Sequence, residues 1–301
     1  MKLHSSVEYF LMIFLLAAIW GLSFSFIKIS AADFGSFALA FIRIFFAAIF
    51  IAVVILLMGE IKKQWQYLTQ PTLIKHFFLS GLFGQLIPFA LYAKAELSIS
   101  ASMASILNAT TPIWSVIIAT LWLKNRFTII QVMGISLSFL GVVILVISSN
   151  TNSEFTFQSS LFGMLAIIIA TFCYGLGSNY IKHFMNDIPS LHLACGSTIY
   201  ACLSGLPLAI LFWPETTIST EAWKAAALLG FLCSGAASVI FFKLISKYDA
   251  TSAVSVTFLI PVFGVLSGIT LLKEEVSLLM IISMIIILSG IILSNIKRQQ
   301  T

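Results

Sequence analysis

Residues 94–124 (KAELSISASMASILNATTPIWSVIIATLWLK) and residues 243–273 (KLISKYDATSAVSVTFLIPVFGVLSGITLLK) resemble each other from end to end. At a constant offset of 149 they share both terminal lysines, two alanines, a central proline and a valine four residues beyond it. Chance matches are common between apolar segments. Lysine and proline are rare in such segments, so their agreement at one offset indicates a duplicated unit.

The duplication extends over most of the chain. The same offset also holds at three pairs outside the two stretches: Lys75/Lys224, Gly81/Gly230 and Gly141/Gly290. The first helices of the two halves align at an offset of 154, with Trp20 opposite Tyr174 and with these identical pairs: Gly21/Gly175, Leu22/Leu176, Ile27/Ile181 and Lys28/Lys182. The sequence therefore predicts two related units, residues 1–150 and residues 151–301.

The composition is that of a membrane protein. Of the 301 residues, 60% are hydrophobic and only 9% are charged, and the mean hydropathy is +1.07. An ordinary soluble domain has roughly 25% charged residues. These values exclude a soluble globular enzyme, a disordered protein and a nucleic-acid-binding protein, and they predict an all-α integral membrane protein that contacts the lipid bilayer.

Ten apolar segments are long enough to span a membrane, since about 20 residues of helix cross a hydrocarbon core about 30 Å thick. The predicted spans are 8–30, 36–58, 73–94, 100–122, 128–148, 160–182, 190–213, 222–244, 251–272 and 277–297. Ten spans place both termini on one side. If that side is the cytoplasm, eleven Lys and Arg residues lie inside and four outside, as is typical of inner-membrane proteins.

Each unit holds five spans, an odd number, so the second unit must enter the membrane upside down relative to the first. Inverted repeats are typical of secondary transporters, whose substrate site lies near the midplane where the halves meet. Two such halves can exchange conformations, which converts an outward-open state into an inward-open one. The sequence therefore predicts two inverted five-helix repeats around a central cavity.

Motifs in both units point to a known family. The first unit carries, in order, Trp20-Gly21, Lys28, Arg43 before small residues, the alanine-rich 101–107, Pro112 and the leucine-rich 121–123. The second unit carries 247–251, Pro261 and 271–274. In these motifs the chain resembles the drug/metabolite transporter superfamily, in its EamA-type branch, over about residues 8–297. The resemblance implies a ten-helix carrier with alternating access for amino acids, nucleosides, other metabolites or drugs, often moved outward.

The chain departs from the family pattern at one position. Members often have a glycine-glutamate pair after the fourth helix, where this chain has Lys124-Asn125. The second unit keeps the acid, as Lys273-Glu274. We interpret this loop-end carboxylate as structural.

Arg43 is the most informative candidate site residue. It lies about seven residues into the second predicted span, roughly 10 Å from its outer end. A charge at that depth normally faces protein or water. Arg43 could attract a substrate carboxylate or phosphate, or it could extend to the outer headgroups. Its repeat partner is Ser197, so only one half carries the charge.

Two repeat-related helix faces carry small and polar residues. Gly21, Ser25 and Lys28 recur at helical spacing, and the second unit repeats the pattern with Gly175, Asn179 and Lys182. The face could line the cavity. It could equally be a packing surface of small residues that ends in a lysine extended to the headgroups.

Pro112 and Pro261 are predicted in the middle of spans, where proline removes a backbone donor and frees the carbonyl four residues earlier. The freed carbonyls belong to Asn108 and Thr257. These kinks could expose the carbonyls, Asn108 and Thr111 to a solute, or they could serve packing alone. The two readings remain open.

The third predicted span offers further candidates. Gln85 and Tyr92 lie seven residues apart, with Pro88 as a possible kink between them. Gln85 could contact a solute or form an interhelical hydrogen bond. Aromatic walls for an organic solute could come from Trp20, Tyr92, Trp114 and Tyr174.

Several kinds of site are not expected. Cys173, Cys195, Cys202 and Cys233 are interpreted as small core residues, and no metal or cofactor is predicted. No Asp or Glu lies in the middle third of a predicted span, so the sequence does not support a dedicated proton-coupling site. Uniport or exchange is at least as plausible.

The sequence thus predicts a secondary transporter for a small organic solute, an amino acid or similar metabolite moved outward, in a monomer or homodimer. A passive channel is the alternative. An integral membrane enzyme ranks lower because no paired acid and base, nucleophile or metal cluster occurs at membrane depth.

Overall fold

A computed structural model describes residues 2–122, 124, 126–148, 154–248 and 250–295. This part of the chain is helical and contains no strand. Its helices are α1 (Lys2–Leu57), α2 (Ile61–Thr69), α3 (Pro71–Gly81), α4 (Ile87–Ala95), α5 (Ala101–Asn108), α6 (Thr111–Trp122), α7 (Ile129–Ser148), α8 (Glu154–Phe184), α9 (Ser190–Leu211), α10 (Thr220–Leu228), α11 (Ala237–Tyr248), α12 (Ala250–Leu272) and α13 (Leu278–Ser294). Two wider π-helical segments join neighbouring helices: π1 (Leu82–Leu86) joins α3 to α4, and π2 (Leu229–Ala236) joins α10 to α11.

Seven helical segments of the described chain are long and apolar enough to cross a membrane. Two shorter apolar helices, Val256–Leu272 and Leu278–Ser294, follow them. The protein is therefore an all-helical, multi-pass membrane protein, as the composition predicts.

The first candidate span, Glu8–Leu57, is too long to cross the membrane once. Its 50 residues would extend about 75 Å as a straight helix, more than twice the hydrocarbon thickness. Gly35 interrupts it with φ 69° and ψ −175°. This left-handed φ is readily adopted only by glycine. Gly35 thus divides α1 into two segments, which correspond to the first two predicted spans.

Repeat-related glycines make repeat-related contacts. Gly21 on α1 packs against Phe263 and the backbone of Gly264 on α12, with no room for a Cβ. Gly175 on α8 packs in the same way against Trp114 and Ser115 on α6. The partners differ by 149, the offset seen in the sequence. Each contact joins the first helix of one unit to the fourth helical region of the other.

A second pair of repeat-related glycines also packs against residues that are repeat partners of each other. Gly230 at π2 packs against Phe46 and lies close to the carbonyl oxygen of Arg43, while Gly81 at the end of α3 packs against the backbone of Ser197 and Ala201. Arg43 and Ser197 are themselves repeat partners. The structure therefore uses small residues at equivalent places to bring backbones together, as helix packing in lipid requires.

The loop ends are also related. Lys124 and Lys273 both adopt a left-handed backbone, with φ 54° and 58°. α7 packs against α13, where the hydroxyl of Ser138 donates to the carbonyl of Ile287 at 3.2 Å. These two positions again differ by 149.

Gly21→Ala should destabilise the protein. The new methyl group would press on Phe263 and on the backbone of Gly264, and overpacking of this kind costs about 1–3 kcal/mol. Thermal unfolding in detergent should show a lower midpoint. Gly84→Ala is the matched control, because no atom lies within 4 Å of a Cβ built there. Equal midpoints for the two variants would contradict the close contact.

Candidate functional site

Arg43 lies in the protein interior, with 7% of its surface exposed. Its Nε donates to the hydroxyl of Ser234 on π2 at 2.8 Å, and its guanidinium carbon lies 3.7 Å from the centre of the Phe89 ring. The Ser234 hydroxyl in turn donates to the carbonyl of Leu229 at 3.1 Å. Within the described residues no carboxylate forms a salt bridge with Arg43. The charge is thus held by a hydroxyl and an aromatic face, both of them neutral.

Tyr92 connects several helices next to Arg43. Its hydroxyl donates to the side-chain oxygen of Asn108 at 2.6 Å. Its ring stacks on Tyr174 of α8 with 6.1 Å between ring centres, and meets Phe24 of α1 edge-on at 5.8 Å. Arg43 interacts electrostatically with both tyrosines. The ring of Tyr92 therefore lies between the two units.

Trp20 reaches the same region from α1. Its indole nitrogen donates to the carbonyl of Cys233 at 3.1 Å, one residue before the Ser234 that binds Arg43. We call the five residues Trp20, Arg43, Tyr92, Asn108 and Tyr174 the polar cluster. All five are candidates from the sequence, and the structure connects them through the contacts just described and through π2.

The two repeat-related prolines have different surroundings. α5 ends at Asn108 and α6 begins at Thr111, so the helix is broken before Pro112. The hydroxyl of Thr111 donates to the carbonyl of Asn108 at 2.8 Å, which satisfies the acceptor that proline leaves free. α12, in contrast, continues through Pro261 without a break. Thr257 lies half-buried on α12.

Pro88 marks another change of helix geometry. It lies in the first turn of α4, directly after π1. A proline is accommodated there because its missing N–H is not needed at the start of a helix. Pro88 is therefore a boundary between two helical forms.

Three other candidates are held by hydrogen bonds that do not involve the polar cluster. Ser25, fully buried, donates to the Ser267 hydroxyl at 2.8 Å. Gln85 donates to the Thr198 hydroxyl at 2.9 Å. The Asn179 amide donates to the carbonyl of Ser115 at 3.1 Å and to that of Gly175 at 2.8 Å. Ser25, Gln85 and Asn179 each thus form one hydrogen bond to a helix of the other unit, and Asn179 forms a second within its own helix α8.

Lys28 forms hydrogen bonds within the protein. Its ammonium group donates to the carbonyl of Glu96, and to the carbonyl of Ile99 at 2.9 Å. These carbonyls belong to the connection between α4 and α5. Lys28 thus holds the start of α5 against the end of the first segment of α1.

Sequence reasoning missed Phe89, Cys233, Ser234 and Glu96. One signal was available for Ser234, which is the repeat partner of the candidate Gln85 at the offset of 149. Phe89 and Cys233 contribute a ring and a backbone carbonyl, which no residue pattern singles out. Glu96 lies at a helix end, where exposure is the usual expectation, yet it is fully buried.

An open cleft of about 380 Å³ lies elsewhere, between α7 and α13. It is lined by Met133, Ser136, Leu137, Leu140 and Leu293. One hydroxyl among apolar side chains suits hydrocarbon better than a charged metabolite. The polar cluster is therefore the better candidate for a solute site.

Known proteins similar to this chain are transporters. A relative from Archaeoglobus fulgidus, described as an uncharacterized transporter, is 28% identical and covers 96% of this chain and 98% of its own. A relative from Escherichia coli K12, described as a probable amino-acid metabolite efflux pump, is 22% identical and covers 92% of this chain and 91% of its own. A relative from Salmonella typhimurium with the same description is 23% identical over 92% of this chain.

The fold is also known. A solved crystal structure superimposes on this one with a TM-score of 0.66, at 18% identity over 96% of both chains. The EamA-like transporter family matches residues 8–147 and again residues 161–296. The resemblance seen in the sequence motifs is thereby confirmed. The chain belongs to the EamA-like transporter family.

Proposed function

We propose that the protein is a secondary transporter that moves a small organic solute, an amino acid or similar metabolite, outward across the cytoplasmic membrane. The observation that carries the proposal is the buried Arg43, whose charge is balanced by no carboxylate in the described part of the chain. The two efflux-pump relatives support the choice of solute class and direction. Membership of a transporter family favours transport over enzymatic chemistry.

Ten spans in two inverted five-helix repeats form the proposed architecture, with both termini in the cytoplasm. Division of α1 at Gly35 supplies the extra span that the first unit needs. The repeat-related contacts of Gly21 and Gly175 support a two-fold relation between the units. The family also matches the chain twice, once in each predicted unit. Two units so related can exchange conformations, which is the basis of alternating access.

The chemistry of the polar cluster suits a solute with a carboxylate. A buried unpaired cation is costly, and a ligand carboxylate would offset that cost through charge-assisted hydrogen bonds. The Arg43 guanidinium has donors beyond the one that binds Ser234. Tyr92 and Asn108 add a hydroxyl and an amide, and the rings of Trp20 and Tyr174 suit an apolar portion. A polyanion would require more buried cations than this single arginine.

Counterflow in proteoliposomes should reveal the carrier. Vesicles that contain the purified protein are loaded with amino acids, nucleosides and other metabolites, and exchange is followed by mass spectrometry. We expect saturable exchange of a few related solutes. A carrier exchanges because its site faces one side at a time, whereas a passive channel gives flux without counterflow. Flux without exchange would therefore favour the channel and contradict alternating access.

Arg43→Gln should weaken binding of a carboxylate-bearing solute by at least about tenfold, since a charge-assisted hydrogen bond contributes about 1.5–3 kcal/mol. The measurement is the half-saturation concentration for the exchanged solute and for its neutral amide. Arg126→Gln is the matched control, because Arg126 is exposed. Equal losses for acid and amide would show that Arg43 has a structural role instead.

A further inference from the structure

Glu96 is a buried acid that the proposed solute site does not use. It lies in the connection between α4 and α5 and is 0% exposed. Among the described residues, neither of its carboxyl oxygens has a hydrogen-bond partner. An ionised carboxylate in such surroundings would lack both water and donors, which strongly favours its neutral form.

Four titratable or charged groups act on Glu96 from the elements packed around it. Lys28 of α1 donates to the backbone carbonyl of Glu96. Arg43, on the second segment of α1, and Tyr92 of α4 interact with it electrostatically. Glu274, after α12, is the fourth. Glu96 and the groups around it therefore include two cations, Lys28 and Arg43, and two carboxyl groups, its own and that of Glu274.

The second acid is held differently. One oxygen of Glu274 accepts from the backbone N–H of Ala101 at 2.7 Å, and the other accepts from the N–H and hydroxyl of Ser102 at 2.9 and 2.6 Å. This carboxylate caps the start of α5, where a negative charge stabilises the positive end of the helix dipole. Glu96 has no such donors.

The balance of charges supports a neutral Glu96. Burial raises the pKa of this carboxyl well above its ordinary value; Lys28 lowers it, Glu274 raises it further, and Arg43 lowers it. Because Glu96 is 0% exposed, a proton on it can leave only when water reaches this carboxyl.

We propose that Glu96 is a proton-binding site coupled to the solute site through Arg43. The proposal rests on the transport function proposed above. With Glu96 protonated, Arg43 has no counter-charge and is free to bind a solute carboxylate. Loss of the proton to water places a negative charge near Arg43 and Lys28 and weakens solute binding. Linkage is reciprocal, so bound solute also favours the proton, and the two should move in the same direction, outward when the solute gradient from the cytoplasm exceeds the opposing proton gradient.

Infrared spectroscopy tests the proton site without any solute. The wild-type protein in lipid nanodiscs at about pH 7 should show the C=O stretch of a protonated carboxyl, shifted by D₂O. Glu96→Gln should remove this band, and Glu215→Gln, which changes an exposed carboxylate, should leave it. If Glu96→Gln fails to fold, the wild-type protein is titrated to alkaline pH instead, and the protonated-carboxyl band should disappear as Glu96 loses its proton. Absence of a protonated band in wild-type protein would overturn the proposal.

Exchange assays test the coupling. Solute affinity of the wild-type protein should fall as pH rises through the raised pKa of Glu96, by up to about tenfold per pH unit above it. Glu96→Gln should flatten this profile, and Glu96→Asp should restore it. A pH-sensitive dye inside the vesicles should show protons moving with the solute.

The outcomes separate the two proposals. Exchange with an unchanged pH profile in Glu96→Gln, or with protons moving opposite to the solute, would overturn the coupling and leave the transporter standing. Absence of exchange by folded wild-type protein would contradict the proposed transport function, and with it the coupling, while the infrared band would still decide whether Glu96 holds a proton.

Discussion

Close backbone contact at Gly21 and Gly175 is the interaction on which the centre of the molecule depends. In lipid there is no hydrophobic force between helices, so association relies on packing, and packing is tightest where a residue has no side chain. Each glycine allows one helix of a unit to rest on the other unit. Trp20 and Tyr174 immediately precede these glycines, so the same contacts fix the start of both aromatic side chains. Both residues then enter the polar cluster from opposite units.

The scaffold is repeated, but its chemistry is not. Arg43 has Ser197 as its repeat partner, and Glu96 has the apolar Ile245. Gln85 binds Thr198, whereas its partner Ser234 binds Arg43. At Arg43 and Glu96, the positions that the offsets pair therefore carry charged side chains in the first half of the chain and hydroxyl or apolar side chains in the second half. In the transporter proposed above, a repeated scaffold would permit exchange of conformations, and the unequal side chains would allow a single solute site within it.

Much of this could be predicted from the sequence, because a duplication leaves its pattern in residue type and spacing. Lysine, glycine and proline at one offset predict the repeat, and both glycines of the pair Gly81/Gly230 make close contacts that leave no room for a Cβ. Burial depth was harder to predict. Lys28 and Glu96 lie near helix ends, yet one binds carbonyls of a neighbouring connection and the other is fully enclosed. Such outcomes depend on how helices meet, which no local pattern records.

The two central prolines show how a repeat can diverge in conformation. The break before Pro112 is stable because the Thr111 hydroxyl donates to the carbonyl of Asn108, in place of the amide N–H that proline lacks. The residue equivalent to Thr111 in the second unit is Ile260, which has no hydroxyl to offer the carbonyl of Thr257. A complete exchange of conformations would break α12 there and leave that carbonyl without this donor. An unpaired backbone group in the interior costs about 1–3 kcal/mol, so under the alternating access proposed above the second unit would need another donor at this position.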